Sequence, residues 1–430
     1  MGWVAVAGIA IFFVGLMLSI GLHEIGHLVP AKLFGVKTTQ YMVGFGPTMW
    51  SKKKGETEYG IKWIPLGGYV RMIGMLPPGK DGSLRDATTS PIRGMVESAR
   101  EASFEEIDGE DEKRLFYQKP WYQKLIIMAG GPAMNFLLAA IILSISFMGF
   151  GTYVPKPQVD KITDCVIPVS AQRQTCENGD KPTPAAQAGF KSGDKLLSFN
   201  GQKVDSWDQL TSLIRGNGGK QVTIGIERDG QPVNLTPSLV TSERYVGKDT
   251  SRTEQVGFLG VLPVQVKERQ GPALVAETMW DFTANAGNAI INLPNRMVGV
   301  WHAAFGDAKR DVNSPVGIIG ASRLGGEIAE LKVPLADRVQ TFLMLLASFN
   351  LAIGLFNLLP LLPLDGGHIA GALWEAVKRS FAKLFGRPDP GYVDVAKGLP
   401  FAYAIAAVML VMTVIIMYAD VVNPVRLSGN

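Results

Sequence analysis

Four stretches of the 430-residue chain are apolar over lengths that can cross a lipid bilayer, and no other feature limits the fold so strongly. They run from Trp3 to Leu22, from about Ile126 to Phe150, from Val339 to Leu364 and from Gly398 to Ala419, each without Asp, Glu, Lys or Arg. A spanning helix needs roughly 20 such residues. The charged share of 19% is low for a soluble protein and agrees with this reading. No basic residue precedes the first stretch and no small-residue cleavage site ends it, so it reads as a retained helix and not a signal peptide.

Lys37, Lys52, Lys53, Lys54, Lys62 and Arg71 follow the first stretch, and Lys378, Arg379, Lys383 and Arg387 separate the third from the fourth. Basic short loops stay in the cytoplasm. Both termini and the segment between the second and third stretches are therefore expected outside. The net charge of +4 gives no reason to expect nucleic acid as a partner; the lipid bilayer is the partner that composition implies. Cys165 and Cys176, the two cysteines of the chain, fall in the outer segment, where an oxidising compartment favours a disulfide between them. Two cysteines alone are too few for a zinc site.

Within the outer segment, residues 153–265 read as a small β-rich domain. "QVDKI", "KLLSFNG" and "QVTIGIERDG" are short strand-like runs, "ERDGQPV" signals a hairpin, and Ser206 is placed to cap a helix in "SWDQLTSLIRGN". The stretch "AAQAGFKSGDKLLSFNGQKV" resembles a bacterial PDZ domain of the kind attached to proteases, which binds an extended peptide along a sheet edge. A spacer or steric filter is the reading that stands beside it. Residues 266–337 are irregularly amphipathic and suit helices on the outer membrane surface or against the bundle. Residues 76–120 form a polar, mixed-charge loop expected to be partly disordered.

The chemistry concentrates in "GLHEIGH" at the end of the first apolar stretch. His23 and His27 are four residues apart, so on a helix both imidazoles share one face and can reach a single zinc ion. Glu24 between them can take a proton from an activated water. Ionisable groups at membrane depth are costly unless paired, which makes function the default reading. A catalytic zinc has three protein ligands as a rule. The third expected here is Asp365 in "FNLLPLLPLDGGH", at the margin of the third apolar stretch and on the same cytoplasmic side by topology. His368, three residues on, is expected to orient a ligand or cap the turn; His302 reads as a surface residue.

The His-Glu-x-x-His in the first helix, "NLLPLLPLDGG" in the third and a PDZ-like domain between the second and third resemble the site-2 protease family, actinobacterial members above all. The resemblance implies a polytopic α-helical membrane protein with four transmembrane helices, an extracytoplasmic β-rich PDZ domain and a membrane-associated β-hairpin region. The organisation expected is helix 1 within 1–35, a cytoplasmic loop with the β region in 36–120, helix 2 in 121–152, the PDZ domain in 153–265, the amphipathic segment in 266–337, helix 3 with its Asp ligand in 338–368, a cytoplasmic loop in 369–397, helix 4 in 398–420 and a tail to 430. It implies a Zn2+ metalloendopeptidase that cuts single-pass membrane proteins, such as anti-sigma factors already trimmed outside, and remnant signal peptides. Asn357 is then expected to contact substrate, together with Gly67 and Gly68 in "YGIKWIPLGGYVRM", whose strand edge an unwound substrate could join. Asn135 in "GGPAMN" is expected to support the site from behind. A membrane metal-binding or transport protein, or a catalytically silent PDZ adaptor, are the competing classes; neither needs Glu24 between the two imidazoles.

Overall fold

A computed structural model describes residues 2–78, 96–98, 109–171, 173, 175–246, 249–308, 310 and 314–425. Most of the polar loop expected at 76–120 lies outside the described residues. The chain divides into two compact units, Gly151–Gln270 and a second built from Met1–Phe150 with Gly271–Asn430.

The larger unit is a helix bundle. Helix α1 (Trp3–Leu33) is 31 residues long and carries the His-Glu-x-x-His pattern in its last third. At 1.5 Å per residue it extends about 46 Å, longer than the roughly 30 Å hydrocarbon layer. Helix α2 (Trp121–Ser144) continues as a π-helical stretch to Phe150. Four helical segments among the described residues are long and apolar enough to span a membrane: Trp3–Leu33, Trp121–Phe150, Leu335–Asn357 and Val395–Val422.

Small residues set how closely the helices cross. A Cβ added at Gly26 on α1 would come within 2.2 Å of the Gly130 carbonyl oxygen on α2, so the two backbones are in direct contact there. Lipid tails give no hydrophobic push between helices, and such close packing takes its place.

Between α1 and α2 the chain forms β1 (Thr38–Lys54) and β2 (Thr57–Met72). Each strand bends back on itself, so Gln40–Val43 pairs with Glu58–Ile61 on one side and with Gly68–Arg71 on the other. The bends fall where Gly44 (φ +96°) and Gly67 (φ +139°) take backbone angles that side chains disfavour. The expected hairpin is thus a compact four-run sheet. Among the described residues, no strand pairs with the outer side of Gly68–Val70.

The smaller unit is β-rich. Its main sheet has the order β10–β3–β4–β6–β7, formed by Val261–Glu268, Thr152–Ile162, Lys195–Phe199, Ile224–Arg228 and Gln231–Leu235, with β5 (Gln202–Lys203) paired to β4 and a separate hairpin of β8 (Val240–Val246) and β9 (Asp249–Phe258). Phe190, Leu196, Phe199, Leu210, Ile224 and Ile226 fill its core. Helix α3 (Trp207–Arg215) is capped by Ser206, whose hydroxyl accepts from the Gln209 amide at 3.2 Å. Asp229 (φ +52°) and Gly230 (φ +79°) turn β6 into β7 at the "RDG" signal. Cys165 and Cys176 are joined in a disulfide.

The amphipathic segment is three helices: α4 (Pro272–Ile291), α5 (Leu293–Phe305) and α6 (Ile318–Glu330). Helix α6 packs into the bundle through Gly325 and Gly326, opposite Gly8 of α1. His302 is exposed, as a surface histidine would be.

The third apolar stretch is not one helix through Asp365. Helix α7 (Leu335–Asn357) ends at Asn357, and Asp365 is the first residue of a new helix, α8 (Asp365–Leu384). Pro360 and Pro363 lie in the break, and each lacks the amide that would continue the ladder. The loop folds back against the start of α8 so tightly that a Cβ on Gly366 would lie 2.0 Å from the Leu359 carbonyl oxygen. That close approach accounts for the glycine after Asp365. Helix α9 (Leu399–Val422) closes the unit, stacking Tyr418 on Phe305 of α5 at 5.2 Å.

Candidate metal centre

Three side chains from two distant parts of the chain converge inside the helix bundle. His23 and His27 lie one turn apart on α1 and are 6% and 5% exposed. Their Nε2 atoms are 3.3 Å apart. Asp365 Oδ2 is 3.3 Å from His23 Nε2 and 3.2 Å from His27 Nε2. Among the described residues, these three form the one group of His, Cys, Asp and Glu side chains close enough to hold a metal ion.

The triangle fits zinc. Zinc bonds to imidazole nitrogen or carboxylate oxygen are about 2.0–2.1 Å, and a regular tetrahedron of that size has edges of about 3.3 Å. The three ligand atoms therefore form one face of such a tetrahedron, leaving a corner for a reactant. Asp365 Oδ2 is buried and makes no hydrogen bond here, an orphan that a metal would satisfy.

Helix α2 builds the wall behind the imidazoles. His27 Nδ1–H donates to the Ile127 carbonyl oxygen at 2.8 Å. That bond assigns the proton to Nδ1 and leaves the Nε2 lone pair facing the triangle. One turn further along α2, a Cβ on Gly131 would lie 2.2 Å from His27 Nε2 and 2.8 Å from His23 Cε1. Only glycine leaves room for both rings at that position.

Glu24 is 8% exposed and stands beside the triangle. Its other neighbour is the β sheet: a Cβ on Gly68 would lie 2.8 Å from Glu24 Cγ. The edge run of the sheet is thereby brought against the carboxylate. Tyr41, on the adjoining run, donates its hydroxyl to the Gly21 carbonyl oxygen at 2.8 Å and ties the sheet to α1. Gly67 abuts the Phe45 ring and forms the bend that precedes this edge.

The remaining expected residues are placed less directly. Asn135 is 1% exposed and packs at Gly354 of α7, but neither of its amide atoms has a hydrogen-bond partner, so no bond links it to the triangle. Asn357 is the last residue of α7, and among the described residues no hydrogen bond joins its side chain to the cluster. His368 meets the Phe116 ring edge-on at 6.5 Å and is outside the ligand group. Two contributors are not legible in the sequence. The Ile127 carbonyl has no side-chain signature at all, and Gly131 is one of two adjacent glycines that local sequence does not distinguish.

Known proteins resemble this chain along most of its length. The model of peptidase family M50 matches residues 11–387. Zinc metalloprotease Rip1 of Mycobacterium tuberculosis (strain H37Rv) is 32% identical over 434 residues, covering 98% of this chain and 99% of that protein. The Rip1 of Mycolicibacterium smegmatis is 30% identical, covering 98% of each chain. Regulator of sigma-W protease RasP of Bacillus subtilis is 28% identical over 406 residues, covering 83% of this chain and 87% of its own. The chain is a multi-pass membrane protein and belongs to peptidase family M50, the site-2 protease family.

Proposed function

We propose that this metalloprotease is a zinc endopeptidase that hydrolyses a peptide bond inside the membrane, with His23, His27 and Asp365 as ligands and Glu24 as the general base. The observation that carries the reading is the triangle of ligand atoms with edges of 3.2–3.3 Å, with Glu24 beside it. Zinc held there supplies Lewis acidity to the scissile carbonyl and to the attacking water. Glu24 accepts the water proton on its carboxylate and returns it to the leaving amide nitrogen. Gly68–Val70, the edge run beside Glu24, offers main-chain donors and acceptors to a substrate unwound into an extended strand. Unwinding is required because a helical amide is hydrogen-bonded within its own helix. Asn357, at the end of α7, is assigned to the substrate's flank, and Asn135 and His368 to support of the site.

The active centre belongs to the cytoplasmic side, with the β-rich unit and both termini outside, by the placement of basic loops. The β-rich unit is read as a PDZ domain that admits or excludes substrates by their outer portion. Its support is the strand order and the flanking helix α3. The substrates are single-pass membrane proteins. The name of the Bacillus subtilis relative ties that protein to sigma-W regulation, which favours anti-sigma factors here, with remnant signal peptides as a second class. The test is reconstitution of the purified protein with a labelled single-pass substrate. Cleavage that persists at the normal rate after Glu24→Gln refutes the mechanism; zinc bound without turnover in the unmutated protein favours a silent adaptor or a metal carrier.

A further inference from the structure

Helix α8 carries Asp365 as its first residue, so the aim of that carboxylate depends on how the whole helix is rotated about its axis. Asp365, His368, Ala372, Glu375 and Arg379 recur at three- and four-residue spacing and share one face. Ala372 and Glu375 on that face are buried. The opposite face is open: Trp374, Phe381 and Leu384 are 58%, 58% and 77% exposed. Apolar packing on one side alone tolerates rotation and sliding of a helix. A directional contact does not.

That contact is a buried ion pair. Glu375 is 1% exposed, and its Oε2 accepts from Lys124 Nζ of α2 at 2.6 Å. Its Oε1 faces Arg379 Nη2 of its own helix at 3.1 Å. Lys124 is 6% exposed and also lies over the Tyr392 ring, 5.0 Å from its centroid. On α2, Lys124 stands one turn before Ile127, whose carbonyl holds His27, and two turns before Gly131, against which both imidazoles pack. One face of α2 therefore locates the two histidines and the helix that brings the third ligand.

We infer that the Lys124–Glu375 pair sets the rotational register of α8, and that the two residues are positioning residues for Asp365 in the metal triangle. The inference rests on the zinc-site reading proposed above. Asp365 lies ten residues from Glu375, about 15 Å along the helix, and about 6 Å from the axis. A rotation of 10° moves its carboxylate by about 1 Å, beyond the roughly 0.5 Å tolerance of a preorganised site.

Lys124→Met separates this role from simple charge loss. Glu375 keeps Arg379 as its partner, while its ionic bond to α2 is gone and the apolar contacts between α2 and α8 stay. The measurement is zinc affinity of the full-length purified protein by chelator competition, together with the visible d–d spectrum of the cobalt-loaded protein. The expected result is about a tenfold weaker affinity, the low end of what losing a ligand's own hydrogen-bond partner costs, with a shifted cobalt spectrum. Lys124→Arg, which retains charge and reach, is expected to recover most of the affinity. Unchanged affinity and an unaltered cobalt spectrum in Lys124→Met overturn the inference. If Lys124→Met gives no folded protein, Glu375→Asp, which shortens the link by one methylene, is measured instead; unchanged affinity and an unaltered cobalt spectrum there overturn it equally. His23→Ala is the control for the site itself: if it binds zinc as the unmutated protein does, the ligand assignment fails, whatever Lys124 does.

Discussion

Gly131→Ala places one methyl group where the structure has none to spare. The added Cβ would lie 2.2 Å from His27 Nε2, whereas ordinary contact begins at 3.4 Å. The ring must therefore retreat by about 1.2 Å, and a misplacement of about 1 Å can cost a hundredfold in rate. Relief by moving the helices apart would give up the close backbone packing of Gly26 against Gly130 one residue away, which holds α1 to α2. Relief by swinging the ring breaks the 2.8 Å bond to Ile127, which sets its tautomer. Alanine is a better helix former than glycine by about 1 kcal/mol, so lost helix propensity cannot account for a defect. The prediction is a folded, membrane-inserted protein with zinc affinity reduced at least tenfold and proteolysis at least a hundredfold. Chelator competition and cleavage of a reconstituted substrate measure the two. Gly149→Ala, where an added Cβ meets nothing within 4 Å, is the matched control and should be silent. A Gly131→Ala protein that binds zinc and cuts substrate as well as the Gly149→Ala protein refutes the steric argument.

Glu24→Gln should lower turnover by about a hundred- to ten-thousandfold, the usual contribution of a general base, while metal analysis still finds stoichiometric zinc. Asp420→Ala should lower stability by about 3–5 kcal/mol, because it strands Arg310 in a pair whose side chains are each only 1% exposed; thermal unfolding in detergent reads this out. Asp194 ties the turn before β4 to Arg228 at the end of β6 and makes that link depend on pH: burial works against its charge, but the Arg228 guanidinium at 2.8 Å and the Lys191 amide override that and hold the carboxyl below its ordinary value. A depressed folded value means the stabilisation is complete above the unfolded carboxylate range, near pH 4, and is lost as pH falls through the folded value. Acid unfolding of the β-rich unit should therefore begin below about pH 4, and Asp194→Asn should flatten that part of the profile while lowering stability at neutral pH; an unchanged acid profile would contradict the linkage. Reduction of Cys165–Cys176 should lower the stability of the same unit by about 2–4 kcal/mol, read as a drop in its thermal midpoint with and without reductant.

The apolar stretches are visible in the sequence because a charge-free run of about 20 residues seldom serves any purpose but crossing a bilayer. The His23–His27 pair is visible because both ligands lie within one helical turn, where spacing alone determines the face. Asp365 is reached by counting ligands and by topology, yet the helix it belongs to is not. Apolar composition extends to Leu364 across Pro360 and Pro363, and hydropathy does not register the missing amides that end α7 at Asn357. Backbone roles lie beyond reach: nothing in the letter Ile announces that the Ile127 carbonyl fixes a histidine tautomer. Asn135 shows the limit from the other side: a polar residue in an apolar helix suggests a hydrogen-bond partner, and its buried amide makes no hydrogen bond.

Lys124 and Glu375 are inconspicuous in the sequence for a related reason. Each sits at the edge of an apolar run beside several other charges, where solvated or snorkelling side chains are the common case. Only the pairing across 251 positions, with both groups buried, separates them from that background. A buried ion pair is weak evidence for stability, because desolvation offsets much of its attraction. Its directional geometry is what apolar packing of α8 lacks. The site's third ligand starts a new helix: the α7 ladder stops at Asn357, and the loop that follows packs closely on Gly366 and so locates the first turn of α8. The rotation of the rest of α8 is referenced across the interface, by Lys124 of α2, the same helix that already orients His27.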